Sequence, residues 1–135
     1  MKVVVDSSAL LAILFAESDC DEFLIALSQN DCSMSAANLL ETSIVIESTK
    51  DPVVIRKFDE LVKTAEIEIV PVDLKQANLA RIAYRDFGKG SGHQAGLNYG
   101  DVFAYALASS TRRKLLCKGE DFRFTDLPLL DTKSV

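Results

Sequence analysis

Hydrophobic and polar positions alternate with two different periods along this chain, and each change of period marks a new element. Lys2–Asp6 is a short β-branched run ending in an acid, which predicts a strand. Ser7 or Ser8 can then cap a helix over Ala9–Phe15, and Asp19 or Asp21 can open another through Leu27. Cys32–Ser35 reads as a weak second strand, after which Ser35 caps a helix from Ala36 to about Thr49. Asp51-Pro52 combines a cap with a first-turn proline and starts a helix to about Lys63. The alternation EIEIV at Glu66–Val70 is that of a half-buried strand, and Asp73 with Gln76 three residues later gives a capping-box-like start to a helix ending at Phe87.

The stretch Leu97–Arg113 organises the rest. Asn98 is a good N-cap, Tyr99, Gly100 and Asp101 form the first turn, and the unbroken apolar run Val102–Ala108 requires cover on nearly all sides. Just before it, Phe87–Gly96 holds four of the six glycines and the polar segment Lys89–His93, which suggests a mobile loop beside the helix mouth. Leu115–Lys118 follows as a short strand, Glu120–Phe124 as a turn or short helix, and Leu127–Leu130 as a last strand or extended tail. Strands separated by helical stretches predict an α/β fold with a mostly parallel central sheet and helices on both faces. No repeat, low-complexity segment or linker divides the chain, so residues 1–135 read as a single domain.

Composition narrows the class. A chain of 135 residues with 48% hydrophobic content is large enough for a sizeable core. No apolar run approaches membrane-spanning length and the first residues read as strand then helix, not as an export peptide, so a soluble cytoplasmic protein is expected. Three cysteines, Cys20, Cys32 and Cys117, are odd in number and far apart, fitting neither a disulfide framework nor a zinc site. His93 is the only histidine and lies in the glycine-rich loop, which ranks a histidine metal site or a Ser-His-Asp triad low. The net charge of −5 argues against a sequence-independent nucleic-acid coat built on lysine and arginine. It leaves room for a nuclease whose acids hold cations that face the scissile phosphate.

In a parallel α/β sheet the chemistry gathers at the C-terminal strand ends. Asp6 closes the first strand and Asp121 lies just past the late one. Glu41 has Ala37, Asn38, Ile44 and Val45 as helical neighbours, and Asp101 has Leu97, Asn98, Ala104 and Tyr105, so both keep mostly apolar company. Each acid alone has an ordinary reading as cap, turn residue or helix-surface charge. Four together are another matter. Carboxylates about 4 Å apart repel by roughly 4 kcal/mol at a surface-like dielectric, so clustering makes sense chiefly if a divalent cation reverses the sign. All-oxygen ligation favours Mg²⁺ or Mn²⁺.

These residues carry a resemblance. VVVDSSALLAILF at the start, the helix containing Glu41, the passage FGKGSGHQAGLNYGDVFAYALA and LLCKGEDFRFTD near the end make the chain similar to PIN-domain ribonucleases of the VapC toxin type, over nearly its whole length. The resemblance implies a PIN-like three-layer fold and a catalytic quartet of Asp6, Glu41, Asp101 and Asp121. Asp6, Asp101 and Asp121 would bind Mg²⁺ or Mn²⁺, Glu41 would ligate or orient the attacking water, and Ser8 would be the small hydroxyl residue supporting the site. It implies as substrate a single-stranded loop of a structured RNA, often a transfer RNA. It also implies a cognate antitoxin, a homodimer, and contact with DNA only through the antitoxin. The chain departs from the family at Ser91–Ala95, where similar sequences carry an arginine and a proline, and Asp126 is a further acid near the site, either supporting or a bystander. Two other readings compete. A phosphoacceptor receiver domain could use Asp6, Ser35, Asp73 and Lys118 but would want paired acids after the first strand, where Asp6 is followed by Ser7. A catalytically silent PIN-like scaffold would have no need of four intact acids.

Overall fold

The computed structural model describes residues 1–132. Four parallel strands, β1 (Lys2–Val5), β2 (Asp31–Ser35), β3 (Glu68–Val70) and β4 (Lys114–Leu116), lie in the order β3-β2-β1-β4. Val4 sits opposite Ser33 of β2 and Leu115 of β4, and Met34 opposite Ile69 of β3. Helices α1 (Ser7–Leu14), α2 (Cys20–Gln29), α3 (Ala36–Ser48) and α4 (Pro52–Thr64) precede β3, and α5 (Leu74–Phe87) and α6 (Asp101–Thr111) precede β4.

The strand order explains the layering. Right-handed crossovers that step from β1 to β2 to β3 put α1–α4 on one face, and the return from β3 past β1 to β4 puts α5 and α6 on the other. Strand alternation divides the core the same way. Val3, Val5, Cys32, Met34 and Leu116 pack with Leu10, Phe23, Ile46 and Phe58, while Val4 and Leu115 pack with Ala83, Leu97 and Leu107. β1 is therefore apolar at consecutive positions, as a strand covered on both faces must be.

Most elements lie where the patterning predicts them, and the differences have local causes. Asp6, not Ser7 or Ser8, caps α1: its carboxylate accepts from the Ser8 N–H. Glu66 stands outside β3 because it takes a left-handed conformation (φ 52°) that stops α4, with its N–H on the Lys63 carbonyl. α6 runs from Asp101 to Thr111, shorter at both ends than the apolar pattern. Leu97 is drawn into an isolated bridge with Gly88, and Arg112 ends the helix in the left-handed region. That bridge, with hydrogen bonds from Lys89 N to Leu97 O (2.7 Å) and Leu97 N to Phe87 O (2.9 Å), ties the ends of the glycine-rich loop together. Leu127–Leu130 forms no full strand; Leu129 makes a single parallel bridge to Leu115. No helix among the described residues is long and apolar enough to cross a membrane.

Leu107, fully buried in the core beneath α6, tests this packing. Leu107→Ala is expected to lower unfolding stability by about 2–5 kcal/mol in chemical denaturation, through lost apolar contact and the cavity left behind.

Candidate active site

The strand order reverses between β1 and β4, so the crevice at their C-terminal ends is where an open parallel sheet accepts ligands. Asp6 stands on one lip of it. Its N–H donates to the Leu116 carbonyl (2.9 Å), carrying the β1–β4 pairing one residue further, and its carboxylate receives the Ser8 N–H (3.0 Å). Only 4% of the residue is exposed. Asp121 stands beyond the other lip as the exposed first residue of a 3-10 turn, Asp121–Phe124. Ser8 links the two sides, its Oγ accepting the Lys118 N–H (2.9 Å).

Asp101 enters from above at the start of α6. Asn98 Oδ1 accepts the Asp101 N–H (2.8 Å) while Asp101 Oδ2 accepts the Asn98 N–H (2.9 Å), a reciprocal cap that fixes backbone and carboxylate together. The cap expected at Asn98 is thus made, although regular helix begins only at Asp101. Glu41 comes from α3, where it is half-buried. Its Oε1 accepts from Ser7 Oγ (2.7 Å) and Asn38 Nδ2 (3.2 Å), and the same Nδ2 donates to the Gly100 carbonyl (2.9 Å). A Cβ on Gly100 would lie 1.7 Å from Glu41 Oε2, so only glycine lets this carboxylate rest against the residue that precedes α6.

Electrostatically the four acids share one neighbourhood. Burial, and then the charges of Asp6, Glu41 and Asp121, push the Asp101 carboxyl up from its ordinary 3.8 to about 6, against the lowering effect of the Asn98 N–H. Burial also raises Asp6, with Glu41 adding to it and the Ser8 hydrogen bonds opposing. The Cys117 thiol is pushed up to about 12 by burial and by Asp6, Asp101, Asp121 and Glu120, which keeps it protonated and unreactive.

The other candidates lie elsewhere or are otherwise engaged. Asp126 receives the Tyr105 hydroxyl (2.5 Å) and is not among the charges acting on Asp101. Asp73 caps α5 through the Gln76 N–H (2.8 Å), Ser35 caps α3, and Lys118 pairs with Glu17 and Asp19, so the receiver-type set is spread over separate tasks. His93 Nδ1 accepts from the Ala95 N–H (3.0 Å) and its ring meets Phe87 edge-on at 5.0 Å. Sequence reasoning missed Ser7 and Asn38, although Asn38 is the one polar residue among the helical neighbours of Glu41 and could have been read as its partner.

The donor set suits a hard divalent cation: four carboxylates, two with pKa values raised by burial and then by neighbouring carboxylates, and no sulfur or imidazole ligand within the set. Among the described residues no three His, Cys, Asp or Glu side chains are drawn together closely enough to hold an ion already. Three of the four carboxylates are hydrogen-bonded to separate anchors, Glu41 to Ser7 Oγ, Asp6 to the Ser8 N–H and Asp101 to the Asn98 N–H.

A family model of the PIN domain matches residues 3–127. The chain therefore belongs to the PIN-domain family. Within it the chain groups with VapC ribonucleases. It is 51% identical over 124 residues to "Ribonuclease VapC28" of Mycobacterium tuberculosis, covering 91% of this chain and 93% of the relative. It is 48% identical over 126 residues to "Ribonuclease VapC" of Mycolicibacterium smegmatis, with 93% and 97% covered. Among solved structures the fold matches VapBC-1 of nontypeable Haemophilus influenzae with a TM-score of 0.76 at 15% identity, covering 98% of this chain and 99% of that one. VapBC2 of Rickettsia felis, bound to a DNA fragment from its promoter, gives a TM-score of 0.74 at 14% identity, with 97% and 98% covered.

The raised Asp101 carboxyl generates a stability prediction. The folded chain holds this proton more tightly than the unfolded chain, so its contribution is complete below about pH 3.8 and is lost as pH rises through about 6. Asp101→Asn keeps the reciprocal cap through its amide oxygen and removes the charge. The metal-free Asp101→Asn variant is expected to melt higher than the parent at pH 7, with the difference shrinking towards pH 4 in a pH series of thermal melts. A lower melting temperature at pH 7 would mean that the aspartate serves only as a cap.

Proposed function

We propose that this chain, as one PIN-like domain over residues 1–135, is a divalent-metal-dependent endoribonuclease acting in the cytoplasm as the toxin of a toxin–antitoxin pair. One observation carries the reading: four carboxylates from four separated segments meet at the strand-order reversal of the sheet, where burial and then the charges of Asp6, Glu41 and Asp121 raise Asp101 to about 6. Membership of the PIN-domain family and identity near 50% to VapC ribonucleases support it.

In this reading Asp6, Asp101 and Asp121 hold Mg²⁺ or Mn²⁺. When bound, the cation offsets phosphate charge and acidifies water, so a net charge of −5 is no obstacle to an RNA substrate. Glu41 acts on the attacking water. Its Oε1 is taken up by Ser7 and Asn38, while Oε2 has no donor among the described residues and is left to accept the water's hydrogen bond. Asp6, anchored through its N–H to β4 and through its carboxylate to α1, keeps the deepest carboxylate fixed against both sides of the crevice.

The substrate we propose is a single-stranded loop of a structured RNA such as a transfer RNA, where unpaired nucleotides can be splayed into the crevice. The partners we propose are a second copy of the chain and an antitoxin that blocks the site and alone contacts DNA. The structural neighbours described as VapBC assemblies, one of them with promoter DNA, support the antitoxin.

Purified protein is expected to cleave total transfer RNA with Mg²⁺ or Mn²⁺ and to stop in excess chelator. Asp6→Asn and Asp101→Asn should reduce cleavage to background while remaining folded by circular dichroism. The cation at 100 times its dissociation constant should stabilise the parent by about 2.7 kcal/mol and the two variants far less. Cleavage that persists in chelator would overturn the mechanism.

A further inference from the structure

Resting on the nuclease reading above, we propose that Asn38 is a positioning residue for Glu41, locking that carboxylate to the residue that leads into α6 with help from Ser7. Asn38 is fully buried, yet its Nδ2 faces two acceptors, Glu41 Oε1 at 3.2 Å and the Gly100 carbonyl at 2.9 Å. Neither neighbour can donate, so the side chain must present its NH₂ to them, and the opposite amide orientation would set oxygen against oxygen at both contacts. One amide thus spans two elements. It joins α3, which carries Glu41, to the residue immediately before Asp101.

The rest of the clamp removes the remaining freedom. Ser7 Oγ donates to the same Glu41 oxygen at 2.7 Å and also approaches the Asn38 carbonyl at 3.3 Å. The bare Cα of Gly100 closes the side on which Oε2 lies. Glu41 is held by a hydroxyl, an amide and a steric wall, with Oε1 saturated and Oε2 free of donors among the described residues.

Asn38 is also an unfavourable choice on structural grounds. Its own Oδ1 is buried without a hydrogen-bond partner among the described residues, and asparagine is a poorer helix former than alanine or leucine. A residue wanted only to fill space between α3 and α6 would not carry an orphaned acceptor. The arrangement makes sense if the NH₂ is what matters.

The test compares the parent with Asn38→Ala, Asn38→Asp and Ser7→Ala in the full chain, using total transfer RNA with saturating Mn²⁺. Asn38→Ala is expected to lower kcat by about 10- to 100-fold, the range for residues that orient functional groups, with KM unchanged. Asn38→Asp should be worse than Asn38→Ala despite its closer shape, because it sets a carboxylate against Glu41. Ser7→Ala should show the same split with a smaller loss. A space-filling role predicts lowered stability with the kcat of folded Asn38→Ala unchanged, and that result overturns the proposal. A second readout needs no activity. In ¹⁵N–¹H spectra of the metal-free protein the Asn38 side-chain NH₂ pair should exchange slowly with solvent and shift in Glu41→Gln. A pair that exchanges freely or ignores Glu41→Gln overturns the proposal. If the pair responds but the parent neither cleaves RNA nor melts higher with Mn²⁺, the hydrogen-bonded clamp stands and the nuclease reading fails.

Discussion

Four carboxylates at one sheet edge repel one another, and the fold has to hold them there. The strand order β3-β2-β1-β4 contributes to this, because its reversal lies between β1 and β4, whose C-terminal ends lead into Asp6 and towards Asp121. Asp6, a candidate site residue, is also a structural one. Its backbone extends the pairing of β1 with β4 and its side chain caps α1, so moving the carboxylate would disturb a strand and a helix together. Two full layers of core stand behind it, with Val4 and Leu115 on one face and Val3, Val5 and Leu116 on the other.

Helix starts supply the opposing partial charge. Asp6 lies at the N-terminus of α1 and Asp101 at that of α6, where unpaired N–H groups and the helix dipole favour negative charge. This offset is partial, since both carboxyls are still raised, Asp6 by burial and Glu41, and Asp101 by burial and the charges of Asp6, Glu41 and Asp121. The residual repulsion is what a divalent cation would relieve. On the proposed reading, function and stability are opposed at these positions.

Much of this was legible in the chain. The helix caps at Ser35, Asp51 and Asp73 were readable because a side-chain oxygen two or three residues before a helical N–H is a local pattern, and each is made. The four acids were readable by position: two follow strand-like runs and two keep apolar neighbours. What escaped was non-local or depended on backbone conformation. Glu66 alternates like a strand residue, but its left-handed turn belongs to the end of α4, and alternation carries no record of φ. The cap of α1, expected at Ser7 or Ser8, lies at Asp6 because that residue serves as a strand end and a helix start in succession. Asp126 could not be assigned from sequence since its partner, Tyr105, lies 21 residues away inside the apolar run of α6.

Glu41 shows why the missed residues had to exist. Asp6 and Asp101 stand at helix starts, where the backbone offers N–H groups without an intrahelical partner, and each carboxylate takes one of them. Glu41 lies inside α3, where the N–H groups around it are consumed by the helix itself. A carboxylate there can be held only by donors brought in as side chains. One comes from the preceding turn of its own helix, Asn38, and one from the first residue of α1, Ser7, which the β1 exit delivers beside Asp6. The geometry that places the first acid therefore also places a donor for the second. An inward-turned acid in a helix interior implies a buried polar neighbour. Along a sequence, the positions to search for it are three or four residues back on the same helix and one residue past the nearest strand-end acid.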